Sequence, residues 1–154
     1  MQNVTLNAAG IPIISIPYSA FLATRIMKVE DFLSCQIRYQ QFQAYLQNAT
    51  GVAVSLNQIP NAFTFQTVDL LSALGIALNG DQDINEYHVR GYFGLDENNN
   101  MKILFVVAVG ANLNVTPQIA GQDAYFVWSN DDTYQAFVLD LNYPCPPLCP
   151  GSAS

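Results

Sequence analysis

The sequence predicts an α+β domain in which an antiparallel sheet packs on two helices as a two-layer sandwich. Three observations lead there. A helical stripe runs through residues 28–49, a strong hairpin pattern fills Glu86 to Gly110, and two more short apolar runs follow it. Helices placed ahead of consecutive antiparallel strands cover one sheet face and leave the other wet or partnered.

Read in order, the chain divides into an extended N-terminal arm (1–27), an α+β domain (28–143) and a proline- and cysteine-rich tail (144–154). The arm contains IPIISIPY, where each proline biases the residue before it toward extended geometry and withholds a donor, so an edge strand fits. Ile11, Ile13, Ile14, Ile16 and Tyr18 are the candidates for contact with a partner, by adding a strand to an open sheet edge, unless they pack on their own domain. The arm carries no basic residue before Arg25, and Pro12 and Pro17 interrupt its apolar run. It is therefore read as mature protein, neither a secretory signal nor a membrane span.

Phe32, Cys35, Tyr39, Phe42, Leu46 and Ala49 recur at spacings of three and four, with Val29, Leu33, Ile37 and Tyr45 widening the stripe. Thr50-Gly51 gives this helix a glycine stop. Its other face is glutamine-rich (Gln36, Gln40, Gln43, Gln47) and is expected to be solvated. Val52–Leu56 suits a short strand. A second helix is expected to enter near Asn61 or Thr64, run through Val68, Leu71, Leu74 and Leu78, and stop at Asn79-Gly80.

The hairpin turns at Asp96-Glu97-Asn98-Asn99-Asn100. Its first arm alternates, with Tyr87, Val89, Phe93 and Leu95 on one face and Glu86, His88, Arg90 and Tyr92 on a wetter one. Its second arm, Ile103 to Val109, is apolar throughout and reads as central and covered on both faces. Ala111–Asp123 reads as a loop, and Tyr125–Trp128 and Tyr134–Leu141 read as strands joined at Ser129-Asn130-Asp131-Asp132.

Composition narrows the functional classes. Only 11% of the 154 residues are charged, against roughly 25% in ordinary soluble domains, while 51% are hydrophobic. Such a surface is uncharged over wide areas and suits coverage by a partner. The five basic residues (Arg25, Lys28, Arg38, Arg90, Lys102) face 12 acidic ones for a net charge of −7. Nucleic acid and anionic membrane surfaces are disfavoured on that balance. Three cysteines and no export signal make a cytoplasmic location the default.

Candidate chemistry is sparse. Glu86, His88 and Arg90 fall in one row, where a carboxylate beside an imidazole could orient a general base, but no nucleophile motif accompanies them. A structural ion network is the expected role of the row. Cys145 and Cys149 are spaced C-x3-C, neither the redox nor the zinc spacing. With Cys35 and His88 they would make a Cys3His set only if the fold assembled it, and no metal or cofactor is assigned. Asp81, Asp83 and Asn85 begin like a calcium loop, but Glu86 and Tyr92 stand where its glycine and bidentate glutamate belong.

Arg90 and Tyr92 before Phe93-Gly94-Leu95-Asp96, the apolar return strand ending Val109-Gly110, and the close Pro144-Cys145-Pro146-Pro147-Leu148-Cys149 carry a resemblance. Over about residues 86–149 the chain resembles small uncharacterised bacterial proteins, chiefly of the Bacteroidota, with a similar Pro-Cys-Pro tail. That resemblance implies no activity. The functional expectation is a non-enzymatic interaction or assembly protein that forms a homo-oligomer or docks on a protein partner. The alternative is a thiol- or metal-binding module built on the tail cysteines.

Overall fold

The computed structural model describes residues 4–51, 60–75, 87–130 and 135–140. In chain order the elements are β1 (Val4–Leu6), β2 (Pro12–Ile16), α1 (Ala20–Ala23), β3 (Ile26–Lys28), α2 (Val29–Thr50), β4 (Ala62–Phe65), α3 (Thr67–Ala73), β5 (Tyr87–Leu95), β6 (Met101–Val109), β7 (Gln122–Trp128) and β8 (Phe137–Leu139). The class is α+β. Among the described residues the sheet has eight strands and runs β1-β2-β7-β8-β6-β5-β4, with β3 paired to β8.

The sheet is mixed, which corrects the antiparallel expectation. β2 lies parallel to β7, Ile13 beside Tyr125 and Ile14 beside Phe126, while the other pairs are antiparallel. A parallel pair needs a long crossover, and here nearly the whole chain lies between the two strands. β2 is accordingly an interior strand, and β1 folds back on it to form the edge.

β5 and β6 make the expected hairpin, pairing from Tyr87↔Val109 to Leu95↔Met101. Asp96 closes its turn: Oδ1 accepts from the Asn98 and Asn100 backbone N–H groups, both at 2.8 Å. β6 and β7 pair through Val107↔Ala124 and Val109↔Gln122. Past that pairing, β8 bridges to Phe105 of β6 and to Phe126 of β7.

Alternation sorts the core into two faces. On one, Phe32 and Cys35 of α2 pack against Leu104, Val106 and Val138, with Tyr92 and Tyr125 meeting the Phe32 ring edge-on at 5.4 and 6.3 Å. On the other, Ile14, Ala124, Phe126 and Phe137 are buried together. β6 is covered unequally, contrary to expectation: Leu104, Val106 and Ala108 are buried, whereas Ile103, Phe105, Val107 and Val109 are half-buried. Among the described residues α2 is the only long helix, and it lies on the first of these faces.

α2 begins one residue later than the pattern suggests and ends at Gly51, whose φ of 65° is the left-handed value a glycine stop requires. Its buried row is Phe32, Cys35, Tyr39 and Gln43, so Gln43 lies inside and Phe42 outside. A straight helix has 3.6 residues per turn, so a strict alternation of three and four rotates off the contact line after two turns. The inner glutamine is tolerated because it hydrogen-bonds Tyr39, whose hydroxyl reaches the Pro60 carbonyl at 3.3 Å.

The segment expected to open the second helix is strand β4 instead, and α3 starts after it at Thr67. Phe63 and Phe65 alternate with Ala62 and Thr64, and β-branched and aromatic residues on a half-buried face favour a strand over a cap. Val52–Leu56, Leu78, Asn79-Gly80 and Asp131-Asp132 lie outside the described residues.

Candidate functional site

The polar row of β5 is the natural place to look for chemistry. Its face is the one that α2 covers, not the wetter one: His88 is buried and the Arg90 side chain is 11% exposed. Burial of a guanidinium demands partners. Arg90 reaches over β6 to β7, where Nη1 stands 2.6 Å from Asp123 Oδ1. Nε donates to Thr64 Oγ1 of β4 at 2.9 Å and Nη2 donates to the Ala120 carbonyl. The second Asp123 oxygen accepts the Tyr92 hydroxyl. Glu86 lies outside the described residues.

This arrangement is poorly suited to acid–base work. Burial, reinforced by the hydrogen bond to Asp123 and by its charge, pushes the Tyr92 phenol up to about 12. Burial and the same carboxylate raise Tyr125 as well. Phenols raised this way stay protonated at neutral pH and cannot serve as bases. Both Asp123 oxygens are engaged, and His88 Nδ1 accepts from the Thr67 backbone N–H at 3.4 Å, with no Ser or Cys among its described partners. The row is a strut tying β4, β5 and β7 together across β6.

Two open clefts flank α2 where it meets the hairpin tip. The first, about 600 Å³, is lined by Met27, Lys28, Asp31, Cys35, Arg38 and Asp96 among others. The second, about 560 Å³, lies beyond Arg38 against Phe42, Tyr45, Leu95 and Met101. Arg38 separates them, its Nη1 donating to the Leu95 carbonyl at 3.1 Å. Burial pushes the Cys35 thiol up, the Arg38 guanidinium acting against it, and the sulfur rests 3.8 Å from Met27 Sδ. A raised thiol is a small hydrophobe, not a nucleophile. Among the described residues no three of His, Cys, Asp and Glu gather where they could hold a metal ion. Cys145 and Cys149 lie outside the described residues.

What the surface does offer is apolar. Leu33 and Ile37 stand out from one side of α2, Phe42 and Tyr45 from another, and Phe63 and Phe65 from the edge strand β4. Of the five arm residues expected at a partner contact, Ile13 and Ile14 are buried in the chain's own core, which takes them out of reach of a partner. Ile16 is half-buried, Ile11 is 36% exposed, and Tyr18 is 61% exposed with its ring edge against Trp128 at 5.2 Å.

Sequence reasoning missed Asp123, Thr64, Phe63 and Phe65. Asp123 belongs to β7, which starts at Gln122, three residues ahead of the Tyr125–Trp128 strand expected from the sequence, and the alternation of Asp123, Tyr125 and Val127 with Ala124, Phe126 and Trp128 extends that far. The aromatic alternation in AFTF was the available sign of β4. No helix among the described residues is long and apolar enough to cross a membrane. Comparison of the chain with protein-family models, curated proteins and solved structures finds no match.

Proposed function

We propose that this chain is a non-enzymatic cytoplasmic interaction protein that self-associates or docks into a larger assembly. One observation carries the proposal: large apolar side chains, among them Leu33, Ile37, Tyr45, Phe63 and Phe65, stand exposed, while the described polar row around His88 and Arg90 is consumed in a strut. In this reading α2 and α3 form one layer on the sheet, and the half-covered second face and edge are surfaces for a protein partner or another copy. Exposed apolar surface of this kind marks contact sites more often than solvent boundary.

Sedimentation velocity over a dilution series tests it. The expected result is a weight-average mass that rises with concentration, or comigration with a partner at fixed stoichiometry. A monomer at every concentration, with no partner retained, overturns it.

A further inference from the structure

We propose that β4 pairs with β4 of a second copy of this chain, antiparallel across a two-fold axis at Phe63, joining the two sheets edge to edge. The inference rests on the self-association reading above and assigns its surface. Among the described residues β4 is the last strand of the sheet. Its hydrogen-bond phase follows from the Phe93 N–H donating to the Asn61 carbonyl at 2.9 Å, which makes 61 and 93 a hydrogen-bonded pair. Such pairs recur every second residue, so Phe63 (opposite Gly91) and Phe65 (opposite Val89) direct their backbone groups at β5. The N–H and C=O groups of Ala62 and Thr64 therefore point off the sheet, and no described backbone group pairs with them.

That edge lacks the features that usually block pairing. Between Ala62 and Phe65 there is no charge, no proline and no bulge, and the two phenylalanines are 50% and 40% exposed. A second copy fits because the edge is self-complementary. With Ala62 opposite Thr64 of the second copy, each outward donor meets an outward acceptor, and Phe63 falls opposite its own equivalent in a close, non-hydrogen-bonded pair. Phe65 then lies on the diagonal, within reach of an aromatic neighbour. At a net charge of −7 a second copy meets least repulsion where the contacting strand carries no charge, and Ala62–Phe65 carries none. The contact is a short strand and two aromatic rings, well below the roughly 1,200 Å² of a stable interface, so the dimer is weak and concentration-dependent.

The test compares the whole chain with its Ala62→Pro variant by sedimentation velocity. Proline at an outward N–H removes one edge donor and leaves the ladder to β5 intact. The expected result is at least tenfold weaker dimerisation with an unchanged thermal midpoint. In a Cys145→Ser, Cys149→Ser background, Phe63→Cys is expected to cross-link with copper phenanthroline, since facing residues in such a pair lie at disulfide distance, whereas Thr5→Cys on the opposite edge is not. If the wild type dimerises but Ala62→Pro dimerises equally, or Phe63→Cys fails to cross-link, β4 is not the contact and self-association stands. A wild type that never associates removes both. Should Ala62→Pro not fold, the cross-linking result alone decides.

Discussion

Arg90 illustrates how a residue that looks catalytic in a list of side chains becomes structural in three dimensions. Its guanidinium is held by a hydroxyl from β4 and by a carbonyl and a carboxylate from the stretch Ala120–Asp123. Removing one member leaves the others desolvated and unmatched, which costs more than the interaction contributes. Asp123→Ala is expected to lower stability by about 2–3 kcal/mol in urea unfolding, whereas Asp69→Ala, exposed in the first turn of α3, should stay within about 0.5 kcal/mol. Equal effects of the two would show that the strut contributes nothing special. The partly exposed Lys102–Asp140 pair, at 2.9 Å, belongs with ordinary surface bridges and should matter less. Tyr92 adds a pH dependence of definite sign. The folded chain holds the phenol proton more tightly than the unfolded one, so the stability this contributes is whole below about 10, the unfolded value. It is lost as pH rises from there through about 12, the folded value. Tyr92→Phe should show a shallower loss of stability over that interval, and an unchanged alkaline limb would refute the assignment.

Among the elements, α2 is the most legible, yet its buried row departs from the sequence stripe after Tyr39. Its span and its glycine stop follow from local rules, because capping and periodicity are decided by neighbours in sequence. Which residues face inward past Tyr39 depends on where the helix axis crosses the sheet, and that is tertiary information. The crossing itself is set by Gly94. A Cβ there would lie 2.9 Å from the Cys35 Cβ and 3.3 Å from its carbonyl carbon, so helix and strand touch backbone to backbone. Gly94→Ala must therefore lift α2 from β5, with an expected cost of about 1–3 kcal/mol in chemical denaturation and a Cys35 thiol that reacts faster with Ellman's reagent. Wild-type stability together with a still-protected thiol would show that the approach is not tight. β2 failed in the opposite way. Its extended character was plain from its prolines, but its parallel partner β7 lies about a hundred residues downstream, and no local pattern names a parallel neighbour.

At the scale of the molecule, composition foretold uncharged exterior but not its position. The hairpin alternation separates two faces, but polarity alone does not place the polar one in water. Arg90 and His88 are inside since Asp123 and Thr67 meet them there, and neither partner is near them in sequence. The same scarcity of charge leads to the last expectation, which concerns salt. Two copies at −7 each repel at long range, and Asp69, exposed in α3 directly after β4, adds to that near the proposed edge. The edge itself offers no ion pair, since its nearest cation, Arg90, is bound to Asp123. Raising sodium chloride from about 20 mM to about 500 mM shortens the screening length from roughly 20 Å to roughly 4 Å. Repulsion is screened and no attraction is lost, so dimerisation should strengthen severalfold, read as a falling dissociation constant in sedimentation equilibrium. An interface built on the charged cleft around Lys28, Asp31 and Arg38 would weaken instead. The direction of the salt effect thus separates an apolar, backbone-paired contact from an electrostatic one, independently of any substitution.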